Sequence, residues 1–127
     1  MNEACFQAPS TGHDEFDKQH RDLISILDRL AATQNAYEAN RLTLALIALW
    51  QEHHLSEERW MRSVKFAFED GHKLEHKKLG VFFANLSHLA NSLPFLDELP
   101  KHTEVIFAKL KEHIATYDVQ FRPYLRS

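Results

Sequence analysis

Helix breakers are scarce in this chain, and they cluster. Only three glycines and four prolines occur among 127 residues, at Pro9 and Gly12, Gly71 and Gly80, Pro94 and Pro100, and Pro123. Between these points apolar residues recur every three or four positions, and no stretch alternates cleanly enough to read as a strand. The pattern predicts four amphipathic helices, over about 16–37, 40–65, 71–93 and 101–118, behind an N-terminal arm of residues 1–15. Asp70 reads as the N-cap of the third helix, and Pro94 and Pro100 bracket the turn into the fourth. Helices joined by short connections pack as an up-down-up-down bundle around one core. The expected fold class is therefore all-α, a four-helix bundle with the whole chain, 1–127, as one domain.

The inward stripes of these helices carry more than apolar residues. In the first helix the line is Phe16, His20, Leu23, Leu27 and Leu30. In the second it is Leu42, Leu46, Leu49, His53, Glu57, Trp60 and Val64. The neighbouring pair His54 and Glu58 has the same spacing but sits one residue, about 100°, further round the axis, which places it at the flank. In the third helix His72 and His76 lead into Leu79, Phe83, Leu86 and Ala90. In the fourth the line is Ile106, Leu110, His113 and Tyr117, with Asp118 just past the end of that face. A single histidine on an apolar face is ordinarily a core residue with one hydrogen bond. Five histidines and two carboxylates spread over all four helices are different, because each is costly to bury unless it is paired or bound to a metal. Pairs at i, i+4 such as His53 with Glu57 and His72 with His76 can converge on one ion or on two adjacent ions. The set exceeds the four ligands of a structural zinc site, and carboxylates at the same depth can bridge, so the inventory points to a dinuclear centre.

Composition removes other classes of function. Fifteen Lys and Arg against eighteen Asp and Glu leave a net charge of −3, with no basic block, so nucleic acid is not an expected partner. No run approaches the roughly 18 apolar residues of a membrane span, and no membrane partner is expected. A single cysteine, Cys5, cannot close an internal disulfide, and the chain suits a reducing, cytoplasmic setting. Of the nine histidines, His13, His54, His88 and His102 fall in the arm, on a flank or near helix ends, and are read as surface or capping residues. Trp60 and Met61 are read as packing.

With these residues in place, the sequence resembles the hemerythrins, in particular the single-domain bacterial ones, over nearly its whole length. The motifs that carry the resemblance are "DKQHRDL" around His20, "HHLSEERWM" from His53 through Glu57, "HKLEH" holding His72 and His76, and "HIATYD" holding His113 and Asp118. Three features depart from the family pattern: Lys109 stands where a tryptophan is usual, Phe6 stands for an N-terminal tryptophan, and "SVKFAFEDG" replaces a tyrosine and proline between the second and third helices.

The resemblance implies two iron ions, a diiron centre. His72, His76 and His113 would hold one iron and His20 and His53 the other, with Glu57, Asp118 and a solvent-derived oxo or hydroxo group as bridges. Dioxygen is the implied partner, for storage, delivery or sensing, with an unidentified protein partner possible in the last case. Leu110, Ile114 and Lys109 would line the oxygen pocket. Lys109 admits two readings, a gate for water and protons at the pocket's edge or an outward residue that solvates the fourth helix. The alternative function is enzymatic, a diiron oxidase or peroxidase acting on iron, peroxide or nitric oxide. Oxygen-activating bundles carry glutamate-rich sets with Glu-x-x-His pairs. Here imidazoles outnumber carboxylates five to two at i, i+4 spacing, which favours reversible binding without catalysis.

Overall fold

The computed structural model describes residues 10–90 and 97–125. The arm up to residue 9, with Cys5 and Phe6, and the expected end of the third helix at residue 93 lie outside the described residues. Four α-helices follow one another, α1 (Asp14–Ala32), α2 (Ala36–Ser63), α3 (Glu69–Ala90) and α4 (Leu99–Thr116), and a 3-10 helix (Asp118–Tyr124) closes the described chain. Each helix packs against its neighbours in sequence, and α1 packs against α4, so the ring closes as a four-helix bundle. Among the described residues no helix is long and apolar enough to cross a membrane.

The helix ends differ from the sequence expectation for local reasons. α1 stops at Ala32 rather than near residue 37, because Thr33 turns extended and the Asn35 side chain accepts from Glu38 N at 3.0 Å, capping α2. Tyr37 thus opens α2 and is exposed. α2 ends at Ser63 rather than at residue 65. There Lys65 enters the left-handed region (φ 56°), while Phe66 N bonds Met61 O at 2.9 Å and Lys65 N bonds Arg62 O at 3.3 Å. This is a Schellman termination, with Phe66 and Met61 making its apolar contact. α3 begins at Glu69, so Asp70 lies in the first turn instead of capping it. α4 begins at Leu99, since Pro100 fits a first turn where its missing N–H is not needed.

The apolar core falls into two parts. The larger fills one part of the bundle and includes Leu23, Leu27, Leu30, Leu42, Leu46, Trp50, Phe83 and Leu110. The smaller caps one end with Phe16, Met61, Phe66 and Phe121. Trp50 and Met61 supply buried surface that the expected stripe assigned to Leu49 and Trp60, which are half-buried. The first and last described segments are tied together beside the cap. Asp17 accepts from Ser10 Oγ, Thr11 N and Thr11 Oγ1 at 2.8, 2.9 and 2.8 Å, and Arg122 donates twice to Ser10 O at 3.0 and 2.6 Å. The turn between them needs Gly12, at φ 86°, where a Cβ would meet Leu125 at 2.9 Å.

Two leucines two residues apart on α2 test this packing. Leu46 is wholly buried and Leu44 is 59 % exposed. Leu46→Ala is expected to lower the unfolding free energy by about 2–5 kcal/mol, and Leu44→Ala to change it by less than about 0.5 kcal/mol. Urea denaturation of both variants checks the contrast.

Candidate metal centre

Between the two apolar layers lies a belt of polar side chains, one or more from every element of the bundle. α1 supplies His20, α2 His53 and Glu57, α3 His72 and His76, α4 His113, and the 3-10 helix Asp118; none is more than 3 % exposed. All seven residues predicted as ligands are therefore brought together. Asp118 arrives by a route the helical pattern does not contain. Five residues beyond His113 on a continued α-helix it would sit about 140° away from it. The chain instead leaves α4 at Tyr117 and tightens into the 3-10 turn, which buries Asp118. Tyr117, expected on the inward face, is half-buried with its ring stacked on His113 at 5.5 Å.

Each carboxylate divides its two oxygens between two groups of imidazoles. Glu57 Oε1 lies 3.1 Å from His72 Nε2 and 2.9 Å from His76 Nε2. Its Oε2 lies 2.9 Å from His53 Nε2 and 3.7 Å from His20 Nε2. Asp118 Oδ1 faces His72 and His113 at 2.9 and 3.0 Å, and Oδ2 faces His20 at 2.9 Å. Two candidate ion positions result, Glu57 with His72, His76 and His113, and Glu57 and Asp118 with His20 and His53. The belt can hold metal ions.

The fit of this donor set to a metal is visible in what its atoms fail to bond. Among the described residues His20 Nε2, His53 Nε2, His113 Nε2, Glu57 Oε2 and both Asp118 oxygens are buried without a hydrogen-bond partner, although they approach one another to about 3 Å. Such orphans are rare in a folded interior and call for a specific cause. The tautomers sharpen the point. His53 Nδ1 lies 2.6 Å from Gln19 Oε1, an acceptor that claims the Nδ1 proton, so a ring with no second proton turns a bare lone pair at Nε2 toward Glu57 Oε2, 2.9 Å away. Two electron-rich atoms at that distance repel unless a proton or a cation lies between them.

Charge follows the same geometry. In the metal-free protein burial pushes the Glu57 carboxyl up, but the imidazoles of His53, His20 and His72 crowded against it, once protonated, hold it well below the ordinary range. Burial and Glu57 push Asp118 up, and His113 and His20 hold it well below as well. Burial lowers His20 and His72, yet Asp118 and Glu57 more than reverse this and raise each to about 9.

Sequence reasoning placed His54 at the flank, and there it is, half-buried, with its Nδ1 unpartnered. Burial, with His76 nearby, lowers its pKa. It also placed Glu58 there, but missed its role. Glu58 Oε2 meets His76 Nδ1 at 3.2 Å, a contact between α2 and α3 that no spacing within one helix reveals. Gln19 on His53 is a second such contact. Leu110 and Ile114 are fully buried beside His113. Lys109, read either as a gate at the pocket's edge or as an outward residue, is exposed, with its ammonium 5.3 Å from the Phe82 ring centroid. His13 caps α1 by accepting from Phe16 N at 3.4 Å.

Comparisons with protein-family models, curated proteins and solved structures return no match.

The raised imidazoles give opposite pH dependences for folding and for metal uptake. In protein stripped of metal, His20 and His72 contribute stability that is full below their ordinary 6.5 and lost as pH rises through about 9. Glu57 and Asp118 contribute above their ordinary 4.5 and 3.8 and lose it as pH falls toward their depressed values. Metal uptake needs both imidazoles neutral, so it releases protons and strengthens as pH rises toward about 9. Thermal melts of stripped protein should fall in Tm from pH 6.5 to 9, and calorimetry in buffers of differing protonation enthalpy should register proton release on binding.

The two adjacent histidines of α2 separate on replacement. His53→Ala is expected to strip metal from the site, and His54→Ala to leave metal content largely intact, as measured by elemental analysis of purified variants. The reverse result would move the site one residue round the helix.

Proposed function

We propose that the chain is a hemerythrin-type protein that binds dioxygen reversibly at a non-haem diiron centre. The observation that supports this best is the division of Glu57 and Asp118 between a three-imidazole group and a two-imidazole group. A mononuclear site has no use for two carboxylates each turned both ways. In this reading His72, His76 and His113 would hold one iron and His20 and His53 the other, with Glu57 and Asp118 available to both. The chemistry such a centre supplies when bound is two electrons, one from each ferrous ion, lent to dioxygen and recovered on its release.

The chain's own residues do the rest. Gln19 fixes the His53 tautomer so that Nε2 offers its lone pair inward. Leu110 and Ile114 close the side next to His113 with apolar surface and exclude water. Trp50 closes another side, its ring 5.5 Å from His76 and 5.9 Å from His53 and stacked on Phe83 at 4.9 Å. Beyond Trp50 is an open cleft of about 440 Å³ between α2 and α3, so the indole is the wall between solvent and these two imidazoles. Five imidazoles against two carboxylates leave little negative charge to stabilise highly oxidised iron, which supports reversible binding over oxidation of a substrate.

Anaerobic loading with ferrous iron followed by air tests the reading. Two irons per chain and a visible absorption that appears with oxygen and vanishes when oxygen is removed are expected. One ion per chain, or zinc alone after iron-replete expression, overturns the diiron centre. Irreversible oxidation, with turnover of peroxide or nitric oxide, replaces the carrier by a diiron oxidase or peroxidase.

A further inference from the structure

Two of the five belt imidazoles have a side-chain partner on Nδ1, and those two partners differ in charge. His53 Nδ1 meets the neutral amide of Gln19 at 2.6 Å. His76 Nδ1 meets the carboxylate of Glu58 at 3.2 Å. Among the described residues the Nδ1 atoms of His20, His72 and His113 are buried without a hydrogen-bond partner. Glu58 is 26 % exposed, so one side of its carboxylate is solvated while the other faces the ring. His53 belongs to the two-imidazole group and His76 to the three-imidazole group. Of these two Nδ1 partners, only the one on the three-imidazole half carries charge.

We propose that Glu58 and Gln19 are positioning residues that make the two metal positions electronically unequal, a proposal that rests on the diiron reading. A carboxylate accepting the Nδ1–H of a ligating imidazole fixes its tautomer and raises its basicity. The more basic ring donates more strongly through Nε2 and favours the higher charge on its ion. Glu58 does this for the ion held by His72, His76 and His113. Gln19 orients His53 without adding charge, so the ion held by His20 and His53 keeps the stronger preference for the ferrous state. Electrons then leave the three-imidazole position first. The contact could instead be a mere tie between α2 and α3, and that reading predicts no change in potential when charge alone is altered.

The deciding variants are Glu58→Gln, which keeps size and hydrogen bonding but removes charge, Glu58→Ala, which removes both, and the reciprocal Gln19→Glu. Redox titration of the iron-loaded proteins reads the two one-electron steps, and chelator competition reads affinity. Glu58→Gln should hold iron nearly as well as the parent while the ratio of ferric to ferrous affinity at one step falls about tenfold, a rise of about 59 mV for a one-electron couple. Gln19→Glu should lower the other step. Glu58→Ala should in addition weaken metal binding about 10- to 100-fold, with zinc as well as with iron. Unchanged potentials in both Glu58→Gln and Gln19→Glu overturn the proposal. If the parent chain takes up two zinc ions but shows no iron redox steps, the diiron reading fails by itself, and Glu58 stands as a positioning residue only if Glu58→Ala still weakens zinc. Far-UV spectra and thermal melts of the metal-free variants show that each is folded.

Discussion

Glu57 is buried on all sides, and its two oxygens meet imidazoles from three helices. Asp118 does the same for α1, α3 and α4. These two carboxylates join every helix of the bundle through contacts that have no apolar substitute of the same reach. Their energetics differ from those of an ordinary salt bridge. Removing one partner from a buried set of this kind leaves the others charged and unpaired, typically at a cost of about 3–5 kcal/mol. Two buried carboxylates and five imidazoles can be balanced by protons, as the upward shift of His20 and His72 indicates, or by cations. Protons satisfy one nitrogen at a time. A cation satisfies several at once, which is the better match to atoms that crowd to about 3 Å without forming hydrogen bonds.

The apolar layers on either side give this belt its character. On the cap side Phe16 meets His53 edge-on at 6.1 Å and Phe121 stacks on His72 at 4.9 Å. On the other side Trp50, Leu110 and Ile114 are buried. A low dielectric on both faces strengthens every interaction inside the belt and makes each unsatisfied atom more costly. The apolar core is therefore part of the site, because it deepens the need for a cation there.

Periodicity alone carried most of this into view. Four helices, the inward phase of His20, His53, Glu57, His72, His76 and His113, and the flank position of His54 all follow from a 3.6-residue repeat, since each is a property of one helix. What periodicity missed obeys a different rule. Asn35 ended α1 early because one side chain bonded the backbone three residues on, and a local cap outweighs the apolar pattern running through it. Asp118 reached the belt by a change of winding, which a fixed period cannot represent. Gln19 and Glu58 act on imidazoles of other helices, and a contact across helices leaves no spacing in the chain. Glu58 sits four residues from His54, so the spacing within α2 pairs it with that residue, whereas its partner in the fold is His76 across the groove.

The late turn that delivers Asp118 also explains why the first and last described segments are tied together. A seven-residue 3-10 helix containing Pro123 has poor hydrogen-bond geometry of its own and needs support from outside. Phe121 gives it an apolar anchor among Phe16, Met61 and Phe66. Arg122 gives it a polar one, binding the carbonyl of Ser10, whose hydroxyl is held by Asp17. Asp17 lies on α1 one turn before His20, so the residues that carry Asp118 and the residues that carry His20 are clamped by one continuous set of bonds. The separation of His20 Nε2 and Asp118 Oδ2, 2.9 Å, is thereby set by Asp17 and Arg122 together with the belt. A ligand drawn from irregular backbone is held as firmly as one drawn from a helix when its neighbours are fastened on both sides, and here the fastening comes from the opposite end of the described chain.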